Sequence, residues 1–215
     1  MADRDAQQGS SRTLVVVSAG LGQPSSTRLL ADRLADATRR GLAAGGLSVQ
    51  LETIELRDLA RDLTDNLLTG FPSPNLKARI DQVLAADGLI AVTPIFSASY
   101  SGLFKLFFDV VKHDGLAGMP VLVAATAGTP RHSLALEHAL RPLFAYLGAA
   151  VVPTAVFAAA EDWGEGDASL EHGLVDRVER AAGQLARAMA GPPRVAPPDP
   201  YDDPVPFERL LERRP

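Results

Sequence analysis

Three short apolar runs, each followed by a loop of small and polar residues, most constrain how this chain can fold. The runs occupy residues 13–19, 88–92 and 121–125 and consist largely of Val, Leu, Ile and Ala. An unbroken apolar run of this length is typical of a strand covered on both faces, as in a parallel sheet. The segment after the first run instead has helical spacing, with Leu30 and Leu34 on one face.

Strands alternate with helices along most of the sequence. We predict two further strands, at 47–56, where alternating polarity indicates a sheet edge, and at 149–157. Helices are predicted after the first loop, at 57–68, 75–86, 134–147 and 168–190, and from near Ser101. This alternation predicts a three-layer αβα fold around a five-stranded parallel sheet. Five such strands fit the flavodoxin-like order 2-1-3-4-5, whose ligand crevice lies at the carboxyl ends of strands one, three and four.

The chain has a formal charge of -5 and no cysteine, which narrows the possible functions. The acidic balance argues against a nucleic-acid surface, and the lack of thiols excludes disulfides and thiol redox chemistry. A redox role would therefore need a bound cofactor. The sequence contains no apolar run of the roughly 18 residues that a membrane span needs, so we expect a cytoplasmic protein with no membrane contact.

We predict three parts along the chain. Residues 1–12 are polar and lack periodicity, which indicates a flexible leader. Residues 13–190 form the flavodoxin-like domain. Residues 191–215 form a proline-rich tail with enough apolar side chains to contact the domain or a partner subunit.

The first loop places Ser25, Ser26 and Thr27 where a helix begins. Hydroxyl donors, free backbone N–H groups and the positive end of the helix dipole together form a pocket for one phosphate monoester. The sequence lacks both Gly-x-x-x-x-Gly-Lys-Ser/Thr and Gly-x-Gly-x-x-Gly, which argues against a nucleoside triphosphatase and the usual dinucleotide turn. The alternative is that Ser25 or Ser26 merely caps the helix.

The second and third loops could enclose a flat aromatic ligand. Pro94, Ile95 and Phe96 supply an apolar wall, and we expect strand three to end before Pro94 because proline lacks a backbone donor. Residues 126–133 could close the opposite side, with Arg131 or His132 as a cation or donor. His132 is equally consistent with an exposed histidine that has no catalytic task.

Other chemistries have little support. The four histidines lie in distant segments without metal-binding spacing, so we predict no metal site. The sequence contains no Gly-x-Ser-x-Gly, which argues against a serine hydrolase. The acidic stretch 161–167 is best explained as a solvated loop, with Trp163 as a lid, a core plug or an interface anchor.

The run Pro94-x-Phe96-x-x-Ser99-x-x-Gly102-x-x-Lys105-x-x-x-Asp109 resembles the signature of the NADPH-dependent FMN reductase family, which has a flavodoxin-like fold. The loop at 18–28 resembles that family's FMN-phosphate loop, with Ser26 at the position of its serine. Two residues depart from the pattern. Where the family commonly has an arginine early in the loop, this chain has Gly20-Leu21. Where the family commonly has an asparagine two residues after the serine, this chain has Arg28. Phosphate recognition would then depend on hydroxyls and Arg28.

The resemblance implies hydride transfer from C4 of NADPH or NADH to N5 of FMN, the flavin carrying the chemistry without a catalytic side chain. The implied cofactor-binding residues are Ser18, Ser25, Ser26 and Thr27 at the phosphate, Pro94, Ile95, Phe96 and Ser97 along the isoalloxazine, Thr126, Ala127 and Gly128 at its pyrimidine side, and Arg131 at the NADPH 2′-phosphate or the flavin.

Residues 128–132 and 139–144 resemble a branch of the family in which some members supply reduced flavin to luciferase-like, flavin-dependent monooxygenases. The resemblance also implies a homodimer or tetramer, with 103–111, Trp163 and the tail as candidate surfaces. Two alternatives stay open. One is a non-catalytic FMN electron carrier of the flavodoxin type, and the other is a reductase of quinones, azo dyes or metal oxyanions on the same fold.

Overall fold

The computed structural model describes residues 11–112, 114–163, 173–192 and 194. The strands are β1 Ser11–Ser18, β2 Ser48–Glu55, β3 Gly88–Phe96, β4 Ser99–Tyr100, β5 Pro120–Ala127, β6 Ala150–Val151 and β7 Val156–Ala159. The α-helices are α1 Ser26–Ala44, α2 Ala60–Thr69, α3 Pro74–Ala85, α4 Gly102–Asp109, α5 Arg141–Tyr146 and α6 Leu174–Met189. Short 3₁₀ turns occupy Leu56–Leu59, Pro130–His132 and Ala160–Trp163, and a π-helical turn occupies Leu136–Leu140.

The sheet has the order β2-β1-β3-β5-β6, with every neighbouring pair parallel. β7 also pairs with β5 in parallel, and β4 pairs antiparallel with β3. Since β5 is the fourth predicted strand and β6 with β7 the fifth, the predicted α/β fold and its order 2-1-3-4-5 are confirmed. This order places the carboxyl ends of β1, β3 and β5 side by side.

Two hydrophobic clusters cover the two faces of the sheet. Alternate residues of β1 belong to different clusters, Val15 and Val17 to one and Leu14 and Val16 to the other. The cluster that contains Leu14 includes the buried faces of α1 and α6, and the other includes those of α2 to α5. Both faces of a strand are therefore apolar, which explains why the strand sequences do not alternate with polar residues.

The fifth strand is not continuous, so the prediction of one strand over 149–157 is wrong. It is divided into β6 and β7 around Pro153, which cannot donate to the ladder. The Arg141 guanidinium compensates for the break, because its two Nη atoms donate to the backbone oxygens of Val152 at 3.2 Å and Pro153 at 3.1 Å. A hydrogen bond from Arg141 also holds the pKa of Glu137 below its usual value, which favours the charged carboxylate.

The segment predicted as a helix over 134–147 is helical but irregular. Its first part is the π-helical turn Leu136–Leu140, and α5 follows directly. Pro142 lies at the start of α5 and has no N–H to donate to the preceding turn. A wider turn before a proline relieves the clash that its ring would make in an α-helix, and we attribute the π-turn to this.

The ends of the described domain are tied to each other. β1 begins at Ser11, two residues earlier than predicted, and Arg12 is buried with its Nε donating to the backbone oxygen of Met189 at 2.9 Å. Arg194 donates to the backbone oxygen of Gly115 at 2.9 Å, and burial lowers its pKa. The predicted leader before Ser11 and almost all of the predicted tail lie outside the described residues, so the domain boundaries stay predictions. Among the described residues no helix is long and apolar enough to cross a membrane.

β3 continues to Phe96, so the prediction that the strand ends before Pro94 is wrong. Pro94 stands opposite Thr126 at the last position of the β3–β5 ladder, where the missing donor interrupts no further pairing. Beyond it, β3 and β4 form a hairpin whose two turn residues, Ser97 and Ala98, have φ values of 48° and 69°. A type I′ turn requires positive φ at both positions and normally uses Asn or Gly there.

We expect Ala98→Gly to raise the free energy of unfolding by about 1 kcal/mol, because glycine adopts positive φ without the steric cost of a Cβ. Urea denaturation measures this. Ala78→Gly is the matched control, since Ala78 is exposed within α3, and should instead lower stability by about 1 kcal/mol. A loss for Ala98→Gly equal to that control would show that the turn is not strained.

Candidate functional site

A cleft of about 420 Å³ opens at the carboxyl edge of the sheet. Its walls come from the loop after β1 and the start of α1, the end of β3, the end of β5 and the turn after β7. The lining residues are Leu21, Gly22, Pro24, Ser25, Ser26, Thr27, Pro94, Ile95, Phe96, Thr126, Ala127, Gly128, Ala160 and Trp163. Each of these side chains is uncharged at neutral pH, so a bound anion would meet no carboxylate among them.

Most of the predicted binding residues meet in this cleft. Those that line it are Ser25, Ser26, Thr27, Pro94, Ile95, Phe96, Thr126, Ala127 and Gly128. Three do not: Ser18 is buried at the end of β1, Ser97 is exposed in the hairpin turn, and Arg131 is exposed in the 3₁₀ turn after β5. Their predicted contacts with a ligand stay predictions.

The first loop turns tightly onto the start of α1. Ser25 is the N-cap, and its Oγ accepts a hydrogen bond from the Arg28 N–H at 3.2 Å. A Cβ on the buried Gly20 would lie 2.1 Å from this Oγ, so only glycine allows the loop to approach so closely. The helix-cap alternative is thus correct for Ser25, while the exposed Ser26 remains available to a ligand.

A hydrogen bond joins the start of α1 to the end of β5. The hydroxyls of Thr27 and Thr126 lie 2.8 Å apart, and both residues are buried. At the end of β1, the buried Ser18 Oγ has no hydrogen-bond partner within the described part of the chain. A buried hydroxyl without a partner is unusual, but Ser18 does not itself line the cleft, so its contact with a ligand stays a prediction.

Arg28 does not line the cleft. Its Nε lies 2.8 Å from Asp32 Oδ1 and its Nη1 2.5 Å from Glu55 Oε1. The hydrogen bond to Asp32 raises the pKa of Arg28 above its usual value, which keeps the guanidinium charged. The idea that Arg28 contacts a phosphate is therefore not supported, because both of its contacts are carboxylates outside the cleft.

Arg57 supports the first loop from behind. Its Nε lies 3.4 Å from Glu55 Oε2, and its Nη1 donates to the backbone oxygen of Gly22 at 3.5 Å. When the Gln23 amide oxygen faces Arg57, it accepts from both Nη atoms at 2.8 and 2.5 Å. Glu55 thus links Arg57 under the loop to Arg28 on α1. The sequence did not indicate this, because the groups come from three separate elements.

The second loop is held by Thr93. Its Oγ1 accepts from the Ser101 N–H at 3.0 Å and donates to the backbone oxygen of Pro94 at 3.0 Å. Ser101 caps α4, whose start near this residue was predicted, since its Oγ accepts from the Phe104 N–H at 3.2 Å. These bonds leave Phe96 half exposed beside the cleft, with Ile95 buried behind it.

The cleft also contains residues that sequence reasoning did not assign to it. Ala160 and Trp163 follow β7, which runs two residues beyond the predicted end of the fifth strand. The Arg33 Cζ lies 5.0 Å from the centre of the Trp163 ring, and the ring also packs against the cluster under α1 and α6. In the sequence, the signal for this placement was that Trp163 follows a predicted strand whose carboxyl end lies at the same edge of the sheet as the cleft.

A parallel sheet of this order, with its cleft at the carboxyl edge and a helix start in the cleft, defines the class of flavodoxin-like proteins. A flavodoxin from the domain Archaea shares the fold with a TM-score of 0.55 at 11% identity, over 83% of this chain and 99% of its own.

The comparisons narrow the class to one family. The model of the NADPH-dependent FMN reductase family matches residues 12–164. The chain is 34% identical to the NADH-dependent FMN reductase SfnF of Pseudomonas putida, covering 78% of this chain and 87% of the relative. It is 35% identical to an FMN reductase (NADPH) of Pseudomonas aeruginosa, covering 83% of this chain and 92% of the relative. The solved structure of an oxidoreductase from Corynebacterium diphtheriae is 47% identical with a TM-score of 0.79, covering 84% of this chain and 97% of the solved chain. The chain belongs to the NADPH-dependent FMN reductase family, which confirms the predicted family and the oxidoreductase class.

We expect Thr126→Val to lower the free energy of unfolding by about 1–3 kcal/mol, because it leaves the buried Thr27 hydroxyl without its partner. The double variant Thr27→Val with Thr126→Val should recover part of this loss, since neither hydroxyl then remains unpaired. Thermal or urea unfolding of the three proteins measures the effect. Thr64→Val, at an exposed position in α2, is the control and should change stability by less than about 0.5 kcal/mol. Equal losses for the single and double variants would contradict the pairing.

Proposed function

We propose that this protein is an NAD(P)H-dependent FMN reductase that binds FMN in the carboxyl-edge cleft. The observation that carries this proposal is the start of α1, where Ser26 and Thr27 enter the same cleft as the Pro94–Phe96 wall. One end of the cleft thus suits a phosphate and the other a flat ring. The proposed reaction, reduction of FMN by NADPH or NADH, is inferred from membership of the NADPH-dependent FMN reductase family.

The residues present fit FMN. The first backbone N–H groups of α1 have no partner within the helix, and the helix dipole favours an anion there. Two features lie at the base of this loop: the tight approach at Gly20, and the hydroxyl of Ser18, which has no hydrogen-bond partner in the described ranges. A dianionic phosphate would thus be held by hydroxyls and backbone donors without an arginine from the loop.

The protein's part in the reaction is to bind and orient. FMN, when bound, supplies the redox chemistry by accepting a hydride from the nicotinamide and passing the electrons on. We propose that Pro94, Ile95, Phe96 and Ser97 align the ring, and that backbone N–H groups of Thr126, Ala127 and Gly128 donate to its pyrimidine edge. Arg131, exposed beyond the cleft, is our candidate for the 2′-phosphate of NADPH, because a guanidinium matches a phosphate in shape and charge.

The assay for this function is oxidation of NADPH and of NADH by the purified protein, followed by absorbance with and without added FMN. We expect oxidation that depends on FMN. If the protein carries tightly bound FMN that neither nicotinamide reduces, the proposal of a reductase is overturned and the alternative of a non-catalytic electron carrier is favoured. Oxidation that requires a quinone or an azo dye in addition to bound FMN would identify the other reductase alternative.

The phosphate subsite can be tested separately from the ring subsite. We expect Ser26→Ala to raise the Kd for FMN by about tenfold, since a hydrogen bond to a charged phosphate is lost. The Kd for riboflavin, which has no phosphate, should be unaffected by this loss. Flavin fluorescence titration measures both. Ser73→Ala is the matched control, because Ser73 begins α3 outside the cleft. Equal weakening for FMN and riboflavin would contradict a phosphate role for Ser26.

We further propose the homodimer or tetramer and the monooxygenase partner expected from the resemblance. Exposed apolar side chains that could support association include Leu67, Leu68 and Phe71 near the end of α2. Light scattering would test the oligomer, and transfer of reduced flavin to a luciferase-like monooxygenase would test the partner. A cytoplasmic location stays a prediction.

A further inference from the structure

Trp163 lines the cleft and lies beside α1. It lines the cleft together with Leu21 and Gly22 of the first loop. Arg33, about two turns along α1 from Ser26, covers its ring at 5.0 Å. The indole therefore lies on the α1 and α6 side of the sheet, in the same cleft as Ser26 and Thr27, which form the proposed phosphate subsite.

The turn that carries Trp163 is fixed by its neighbour Asp162. The Asp162 carboxylate accepts from the Ala159 N–H at 2.6 Å and from Arg177 Nη2 at 2.7 Å. Arg177 belongs to α6, so this ion pair ties the turn to the helix that packs beneath it. Asp162 fixes the backbone of the turn, and the exposed Arg33 guanidinium covers the ring, so both contacts favour the observed position of the indole.

The size of the cleft limits what can bind beside this ring. About 420 Å³ is at the small end of the range for small-molecule sites, roughly 300–1,000 Å³. A flavin mononucleotide ends at its phosphate. A flavin adenine dinucleotide continues beyond that phosphate, and its second half needs further room, which we infer lies on the side of the cleft lined by Leu21 and Trp163.

We propose that Trp163, held by Arg33, restricts the cleft to flavin mononucleotides and disfavours flavin adenine dinucleotide. The inference rests on the proposed binding of FMN in this cleft. One face of the indole is already covered by the Arg33 guanidinium, so that face cannot stack on an adenine. The ring therefore acts as a steric wall on its side of the cleft, and specificity arises from exclusion of the larger ligand.

The test compares the Kd values of FMN and FAD by titration calorimetry for the wild type and Trp163→Ala. The wild type should prefer FMN. Trp163→Ala should reduce the ratio of the Kd for FAD to the Kd for FMN by about tenfold or more, mainly by tighter FAD binding. Trp163→Phe, which keeps a ring, should retain most of the preference. An unchanged ratio, or tighter binding of FAD by the wild type than by Trp163→Ala, would overturn the proposal.

A second pair of variants keeps the test valid if Trp163→Ala does not fold. Arg33→Gln removes the cation over the indole and should also lower the FMN preference. Arg39→Gln is the matched control, because Arg39 is exposed on the same helix and pairs with Asp36 instead. Equal ratios for these two variants and the wild type would count against the proposal.

The outcomes separate this inference from the proposed function. If the wild type oxidises NADPH or NADH with FMN but the FMN to FAD ratio does not respond to Trp163 or Arg33, only the inference fails. If the wild type neither binds nor reduces FMN, the proposed function fails and the inference with it.

Discussion

Burial of the apolar face of α1 against the sheet determines where this protein can bind a ligand. Leu30 and Leu34 of the helix share one hydrophobic cluster with Val16 of β1, Ile90 of β3 and Leu122 of β5. Because this packing spans three strands, the helix axis is fixed and its first turn must reach the carboxyl edge between their ends. The partly positive helix start and its hydroxyls are thereby directed at the cleft.

The cleft is built from backbone geometry and neutral side chains rather than from charged groups. The nearby guanidinium groups contact other parts of the protein: Arg28 pairs with carboxylates, Arg57 donates to the first loop, and Arg33 covers Trp163. The charges thus position the walls of the site while the walls themselves stay uncharged. Such a site suits a cofactor that carries its own reactivity, because the protein needs only to hold it in place.

Irregular backbone is found close to this cleft. The second loop contains a hairpin turn with positive φ at Ser97 and Ala98, and the break at Pro153 precedes β7, which the turn with Trp163 follows. Periodicity could not predict these features, since the hairpin lies where a loop was expected and the break interrupts an expected strand. The strand that continues through Pro94 is an example: the residue's local preference for ending a ladder has no consequence at the last pair with β5.

The sequence alone determined the order of strands and helices, the parallel sheet and the loops that form the site. Apolar runs, helical spacing and clusters of small residues are local properties, and the topology rules for parallel sheets bring the loops after β1, β3 and β5 to one edge. The tertiary structure alone decided that Arg28 pairs with Glu55, that Ser18 is buried with no hydrogen-bond partner among the described residues, and that Trp163 enters the cleft. These outcomes depend on distances between residues far apart in the chain, which packing sets and local pattern does not encode.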